Sequence, residues 1–140
     1  MKILEVLTKK RKTGNLGEEL ASKYLKKEGY KIRERNYVAL GHEIDIIAET
    51  KDTVAFVEVK TRTVGYESKY EARPASSVTP EKQRKIITTA KYYLAGFRPH
   101  KYVNLDIVEV YLNQDGTSNK IIHIKNAFNW NTAHDRKVHR

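Results

Sequence analysis

Two neighbouring runs of Ile, Val, Phe and Ala place the strongest constraint on how this chain can fold. Residues Glu43 to Glu49 and Thr53 to Thr61 are separated only by a turn-like TKD, and both runs carry apolar residues at odd and even positions alike. Strands that are apolar on both faces are typical of the middle of a sheet that is covered on both sides. We therefore predict that these runs form two adjacent central strands.

The other periodic segments predict a single domain with the element order α-β-β-β-α-β-β. Helical spacing of apolar residues predicts a first helix from Thr13 to Gly29, and Thr79 and Pro80 supply the cap and first position of a second helix that runs to about Gly96. The predicted strands are Tyr30 to Val38, Glu43 to Glu49, Thr53 to Thr61, Tyr102 to Leu112 and Lys120 to Lys125, in which the first three form a meander and the last two a hairpin. This predicted domain spans residues 13–126, between a basic N-terminal arm at 1–12 and a basic C-terminal tail at 127–140.

Composition indicates a polyanionic partner. The 140 residues include 27 Lys and Arg against 17 Asp and Glu, a net charge of +10 that favours nucleic acid. No apolar run is long enough to span a membrane and the first dozen residues are too polar for a signal peptide, so we expect a cytoplasmic protein that does not bind membranes. Cysteine is absent, and any metal must therefore be held by oxygen or imidazole ligands.

Charged residues interrupt the two central strands in a pattern that predicts a metal site. Strand residues two apart share a face, so Glu43 lies on the face of Asp45, and Glu58 on the face of Lys60. In a meander these faces meet, and Asp45 and Glu58 can then hold Mg²⁺ beside Lys60, as phosphodiester hydrolysis requires. The alternative is a structural salt-bridge cluster, because alternating acids and bases are common on sheet faces.

Each predicted helix adds polar residues near this pair of strands. A helical wheel places Glu18 at the rim of the first helix's apolar stripe and Glu19 in solvent. Lys82 and Gln83 fall on the buried stripe of the second helix, where Lys82 can hold a phosphate and Gln83 can support the site. Alternatively, Glu18 is a favourable acid in a first helical turn, and Lys82 extends from the edge of the core into solvent.

With these residues in place, the chain resembles the YraN-like family of uncharacterised bacterial proteins, a branch of the PD-(D/E)XK nucleases similar to archaeal Holliday junction resolvases. The resemblance rests on the blocks GNLGEELASKYLKKEGYKIRERN, HEIDIIA, FVEVKTR, VTPEKQRKIITTAKYYL and LDIVEVYL. It implies a restriction-endonuclease-like three-layer α/β fold, with a mixed central sheet flanked by helices, and Mg²⁺- or Mn²⁺-assisted phosphodiester hydrolysis. The resemblance implies that Glu18, Asp45, Glu58 and Lys60 are catalytic and that Glu43 has a supporting role. A homodimer is expected only by analogy with the resolvases.

His42 departs from the family pattern, which usually has glycine at this position. A histidine there either widens the turn or places an imidazole near the metal. We treat it as a peripheral residue.

The polar segment 62–77 predicts a substrate-contacting loop. Arg62, Lys69 and Arg73 interleave with Tyr66 and Tyr70, as phosphate-binding and base-stacking groups do, although an ordinary loop has a similar composition. The sequence as a whole predicts a metal-dependent endonuclease that acts on DNA, with branched or otherwise structured DNA favoured. The alternative is a catalytically weak or inactive nuclease fold that binds nucleic acid. DNA versus RNA and endo versus exo attack stay open.

Overall fold

The described chain forms two helices and five strands in the predicted order. A computed structural model describes residues 3–65, 78–96 and 101–128, and only the backbone of residues 3–13. The elements are α1 (Ile3–Lys27), β1 (Lys31–Ala39), β2 (His42–Glu49), β3 (Thr53–Thr63), α2 (Pro80–Ala95), β4 (Tyr102–Leu112) and β5 (Ser118–Ile124). Within these ranges, neither helix is long and apolar enough to cross a membrane.

The five strands form one mixed sheet in the order β1-β2-β3-β4-β5. β1, β2 and β3 pair antiparallel, and so do β4 and β5, which confirms the predicted meander and hairpin. β3 and β4 are parallel, and α2 lies in the connection between them. A parallel pair needs such a crossover because a tight turn cannot join two strands of the same direction.

Helices cover both faces of the sheet, which makes β2, β3 and β4 the buried middle of a three-layer structure. On one face α1 contributes Ala21 and Leu25 to a core with Ile46, Val57 and Val108. On the other face α2 contributes its buried residues to a second core, which contains Ile47, Phe56, Ile86, Ala90 and Ile107. The predicted α/β fold class is therefore confirmed.

The ends of several segments, among them α1 and β3, differ from the predicted bounds. α1 begins at Ile3 rather than at Thr13, so most of the predicted arm is helical; it contains no proline, and its Leu, Lys and Arg residues favour helix. β3 continues beyond Thr61 to Thr63 because the parallel pairing with β4 extends that far. Phe128, which the sequence placed in the C-terminal tail, is only 5% exposed and packs in the core beneath α2.

The helix cap at the start of α2 agrees with the prediction. Thr79 has an extended backbone, and its side-chain oxygen accepts a hydrogen bond of 3.2 Å from the backbone N–H of Lys82. Pro80 then occupies the first helical position, where its missing N–H is not needed. This cap fixes the turn from which Lys82 and Gln83 extend.

Gly17 sets the distance between α1 and β3. A Cβ atom at this position would lie 1.9 Å from Oγ1 and 3.0 Å from Cβ of Thr61. Real Cβ atoms do not come so close to another side chain, so any larger residue would push the helix away from the strand. The glycine thereby also fixes the position of its neighbour Glu18 relative to the sheet.

Candidate active site at the separation of two central strands

The candidate site lies where β2 and β3 separate. Their backbone pairing extends from Glu49 and Val54 to Ile46 and Val57. At the next position the side chain of Asp45 takes over, because its Oδ2 atom accepts a hydrogen bond of 2.8 Å from the N–H of Val59. A carboxylate is thus inserted between two buried strands, close to the middle of the sheet.

The ionisation of Asp45 is strongly perturbed. Burial first, and the negative charge of Glu58 second, raise its pKa from 3.8 to about 7, while the hydrogen bond from Val59 opposes this change. The charges of Glu18 and Glu43 raise this pKa further. Three carboxylates therefore act on Asp45, an arrangement that a bound cation would stabilise.

Glu58 is buried and shares one carboxylate oxygen with two lysines. Its Oε2 atom accepts a hydrogen bond of 2.6 Å from Nζ of Lys82 and lies 3.8 Å from Nζ of Lys60. Burial, followed by the neighbouring positive charge of Lys82, lowers the pKa of Lys60. For Lys82 burial acts in the same direction, but the hydrogen bond and charge of Glu58, together with the charge of Asp45, outweigh it and raise the pKa. The predicted cluster of Asp45, Glu58 and Lys60 thus exists, with Lys82 as its second cation.

Glu18 extends from α1 towards the same region, as the helical wheel predicted. Its side chain is 18% exposed, against 52% for Glu19. Oε1 of Glu18 accepts a hydrogen bond of 2.9 Å from Asn36 and lies 3.8 Å from Arg35, which pairs more closely with Glu19 at 3.0 Å. Asn36 was not predicted from the sequence as a contact of Glu18. Its backbone has a φ of 53°, a conformation that asparagine tolerates better than most residues.

Gln83 supports the start of α2 rather than contacting the acidic residues. Its Nε2 atom donates a hydrogen bond of 2.9 Å to the carbonyl of Val78, and within the described ranges its buried Oε1 atom has no hydrogen-bond partner. Because Val78 precedes the cap of α2, this contact helps to hold Lys82 in place. Arg84 and Lys85 are exposed on the outer face of the helix.

Arg62 occupies a different environment from the predicted phosphate contact. It lies in β3 with only 16% of its side chain exposed, and its Nε atom is 3.3 Å from Oε2 of Glu109. Tyr111 donates a hydrogen bond of 2.9 Å to the other oxygen of Glu109. This ion pair engages the Nε atom of Arg62, and its contact with phosphate stays a prediction. The other predicted loop contacts, Lys69 and Arg73, lie outside the described residues, as do Tyr66 and Tyr70.

Glu109 is a buried acid that the sequence analysis did not assign to the site. It stands directly beside Lys60 in the pairing of β3 with β4 and extends the polar part of this sheet face. The signal was available, because Glu109 interrupts the apolar run LDIVEVYL in the same way that Glu58 interrupts β3.

His42 and Glu43 line a cleft of about 440 Å³ together with the acidic pair. Val38, Gly41, Asp45, Glu58 and Lys82 complete its lining. Nε2 of His42 is buried and has no hydrogen-bond partner among the described residues. Burial, and then the positive charge of Lys82, lower the pKa of His42, which favours a neutral imidazole. The turn before it is not widened, since Ala39 and His42 still pair across Leu40 and Gly41.

The donor set fits a hard divalent cation. Asp45 and Glu58 supply carboxylate oxygens in one cleft, with Glu43 at its rim, and cysteine is absent from the whole chain. Mg²⁺ and Mn²⁺ prefer such oxygen ligands. Within the described ranges no group of three or more His, Asp and Glu residues is already arranged around one point. The Oε2 atom of Glu58 accepts a hydrogen bond from Nζ of Lys82. A cation at this site would therefore compete with Lys82.

The chain is similar to a group of bacterial proteins over most of its length. Residues 17–110 match the family described as "Uncharacterised protein family UPF0102". A UPF0102 protein of Caldanaerobacter subterraneus is 44% identical over 121 residues, which cover 85% of this chain and 96% of the relative. Another from Desulfosudis oleivorans is 43% identical over 134 residues, which cover 91% and 98%.

Among solved structures, an XisH family protein from Nostoc punctiforme aligns with 76% of this chain and 98% of its own length, at a TM-score of 0.38 and 13% identity. The matched family range begins at Gly17, next to Glu18, and includes Asp45, Glu58 and Lys60. The chain therefore belongs to the UPF0102 family, the YraN-like group that its sequence blocks resemble.

Proposed function

We propose that this chain is a cytoplasmic endonuclease that uses Mg²⁺ or Mn²⁺ to hydrolyse phosphodiester bonds in DNA, with branched or otherwise structured DNA as its preferred substrate. The observation that carries this proposal is the meeting of Asp45, Glu58 and Lys60 where β2 and β3 separate. Burial and neighbouring carboxylates raise the pKa of Asp45 to about 7 there. A stable fold gains nothing from this crowding of negative charge, whereas a cation-dependent hydrolase needs it.

Each residue of the cluster has a chemical role in this proposal. Asp45 and Glu58 would hold the cation, which supplies charge neutralisation at the phosphate and acidifies a water molecule. Lys60, which lies 3.8 Å from Glu58, would orient the attacking water or balance charge that develops on the phosphate. Lys82 would release its hydrogen bond to Glu58 when substrate binds and would then donate to a phosphate oxygen. Glu18, anchored by Asn36, would add negative charge at the edge of the site.

Nucleic acid fits the charge of the protein. The net charge of +10 favours a polyanion, and the cations Arg84 and Lys85 are exposed on α2 one turn or less beyond Lys82. Contacts of this kind recognise the phosphate backbone and carry no base sequence. We therefore expect selection by the shape of the DNA rather than by its sequence.

Cleavage of labelled DNA tests the proposal. Four-way junction, flap, single-stranded and linear duplex DNA would each be incubated with Mg²⁺ or Mn²⁺ and with wild type, Asp45→Ala or Glu58→Ala. We expect products from wild type alone and most product from branched DNA. Cleavage that survives both substitutions would contradict the assignment of the site.

A second candidate function is a nuclease fold that binds nucleic acid without cleaving it. It is favoured by the 2.6 Å hydrogen bond that lets Lys82 take the place of a cation at Glu58. It predicts salt-sensitive binding to all four substrates and no products with any metal. Metal-dependent cleavage by wild type would rule it out.

A further inference from the structure

The turn between β1 and β2 places a bulky apolar residue where the backbone disfavours it. β1 ends at Ala39 and β2 begins at His42, so Leu40 and Gly41 form a two-residue turn. Both have positive φ angles, 56° and 75°. Such turns favour asparagine or aspartate followed by glycine, and a leucine with positive φ is uncommon.

The same turn exposes its apolar side chains. Leu40 is 62% exposed, and Val38, at the end of β1, is 66% exposed. Neither side chain contributes to the two buried cores. Leu40 thus combines an unfavourable backbone conformation with an unfavourable exposure, and unfavourable features of this kind concentrate at functional sites.

The hairpin tip stands between the candidate active site and a second groove. Val38, Gly41 and His42 line the cleft that contains Asp45 and Glu58. Leu40, Gly41 and His42 also line an adjoining groove along the outer face of α2. The two depressions therefore share Gly41 and His42 in their walls at the tip.

The groove carries charges that suit a phosphate backbone. Arg84 and Lys85 line it, with Thr88 and Thr89 beside them. Glu81 also lines the groove but lies 3.9 Å from Lys85, in an exposed ion pair that contributes little stability. Apolar side chains next to two exposed cations match a nucleic acid, which presents base faces beside phosphates.

We propose that the tip formed by Val38 and Leu40 is a wedge that contacts unstacked bases at a branch or frayed end of DNA, while Arg84 and Lys85 hold the adjoining phosphates. This inference rests on the proposed nuclease function and names the feature of the substrate that is selected. Intact duplex hides its base faces, and unstacking them costs free energy, whereas a branch point already exposes them. The wedge would therefore favour branched over linear DNA and bring the branch next to Asp45 and Glu58.

Leu40→Asn separates this role from folding. Asparagine is preferred at the first position of this turn, so the variant should melt no lower than wild type. Binding to a four-way junction and to a linear duplex of equal length would be measured by fluorescence anisotropy in EDTA, which prevents cleavage. We expect the preference of wild type for the junction to fall roughly tenfold in Leu40→Asn, the scale of one apolar side chain that is no longer buried against a base, with duplex affinity unchanged.

Further variants act as controls. Val38→Thr keeps a β-branched side chain in the strand and should reduce the junction preference in the same direction. Tyr102 is 76% exposed at the start of β4, and Tyr102→Asn should leave the preference unchanged. Replacing both Arg84 and Lys85 by glutamine should weaken junction and duplex binding alike and make both less salt-dependent.

The outcomes separate the two proposals. An unchanged junction preference in both Leu40→Asn and Val38→Thr, or no preference in wild type, would overturn the wedge and leave the nuclease assignment intact. Wild type that binds neither DNA would overturn the proposed function and the wedge with it. A 2-aminopurine base at the branch point gives a second readout, since its fluorescence should rise when wild type binds and less when Leu40→Asn binds.

Discussion

Replacing Asp45 by asparagine should stabilise the folded chain at alkaline pH. Burial and the charge of Glu58 raise the pKa of Asp45 from 3.8 to about 7, so ionised Asp45 destabilises the fold. Asparagine is neutral and similar in shape, and its side-chain oxygen can still accept the 2.8 Å hydrogen bond from Val59. The substitution therefore removes the unfavourable charge and keeps the favourable contact.

The size and pH range of the effect follow from that pKa. At 1.36 kcal/mol per pKa unit, the change from 3.8 to about 7 corresponds to about 4 kcal/mol. Between these pH values folded Asp45 holds a proton that the unfolded chain has released, so the free energy of unfolding of wild type decreases as pH rises. Asp45→Asn should thus be nearly neutral at about pH 4 and should show its full gain above about pH 8.

Urea unfolding followed by circular dichroism at pH 4.5 and pH 8.5, in EDTA, measures this difference. Glu49→Gln is a suitable control because Glu49 lies on the same strand, where the hydrogen bond from Lys101, followed by the charge of Arg33, lowers its pKa despite burial. Neutralising Glu49 should destabilise the fold at pH 8.5, the opposite sign. A gain for Asp45→Asn that is absent at pH 8.5, or equal at both pH values, would refute the reasoning.

Two further substitutions test the contacts that build the site. Gly17→Ala should lower the free energy of unfolding by about 1–3 kcal/mol in thermal or urea unfolding, because the added Cβ would clash with β3. Gly14→Ala is the control: it has open space around it and should stabilise α1 by up to about 1 kcal/mol. Equal effects of the two substitutions would contradict the close approach of Gly17 to β3. Lys82→Met should free Glu58 and tighten Mn²⁺ binding roughly tenfold in calorimetry, whereas the control Lys85→Met should not change it. Weaker or unchanged Mn²⁺ binding in Lys82→Met would contradict the competition between Lys82 and the cation for Glu58.

The acidic centre of the site was predictable because local rules determine it. Apolar residues on both faces place Asp45 and Glu58 in central strands, and a three-residue turn brings those two strands together. The period of a helix likewise separates Glu18 from Glu19. These inferences need only neighbours along the chain or one tight turn.

The remaining contacts depend on long-range geometry that local periodicity does not contain. The pairing of Lys82 with Glu58 depends on where α2 begins after a long connection. Arg62 meets Glu109 only because β3 and β4 pair in parallel across that same connection. The exposure of Leu40 could not be predicted either. The sequence ALGH at residues 39–42 predicts a turn, but it does not predict that Leu40 is exposed at the tip.

Direct binding of Mn²⁺ tests the central claim that Asp45 and Glu58 hold a divalent cation. Titration followed by electron paramagnetic resonance counts free and bound Mn²⁺ at pH 8.5 for wild type, Asp45→Asn, Glu58→Gln and the control Glu49→Gln. We predict bound Mn²⁺ in wild type and the control, and loss of binding in the other two variants. Binding that is absent from wild type, or unchanged in both Asp45→Asn and Glu58→Gln, would contradict the account.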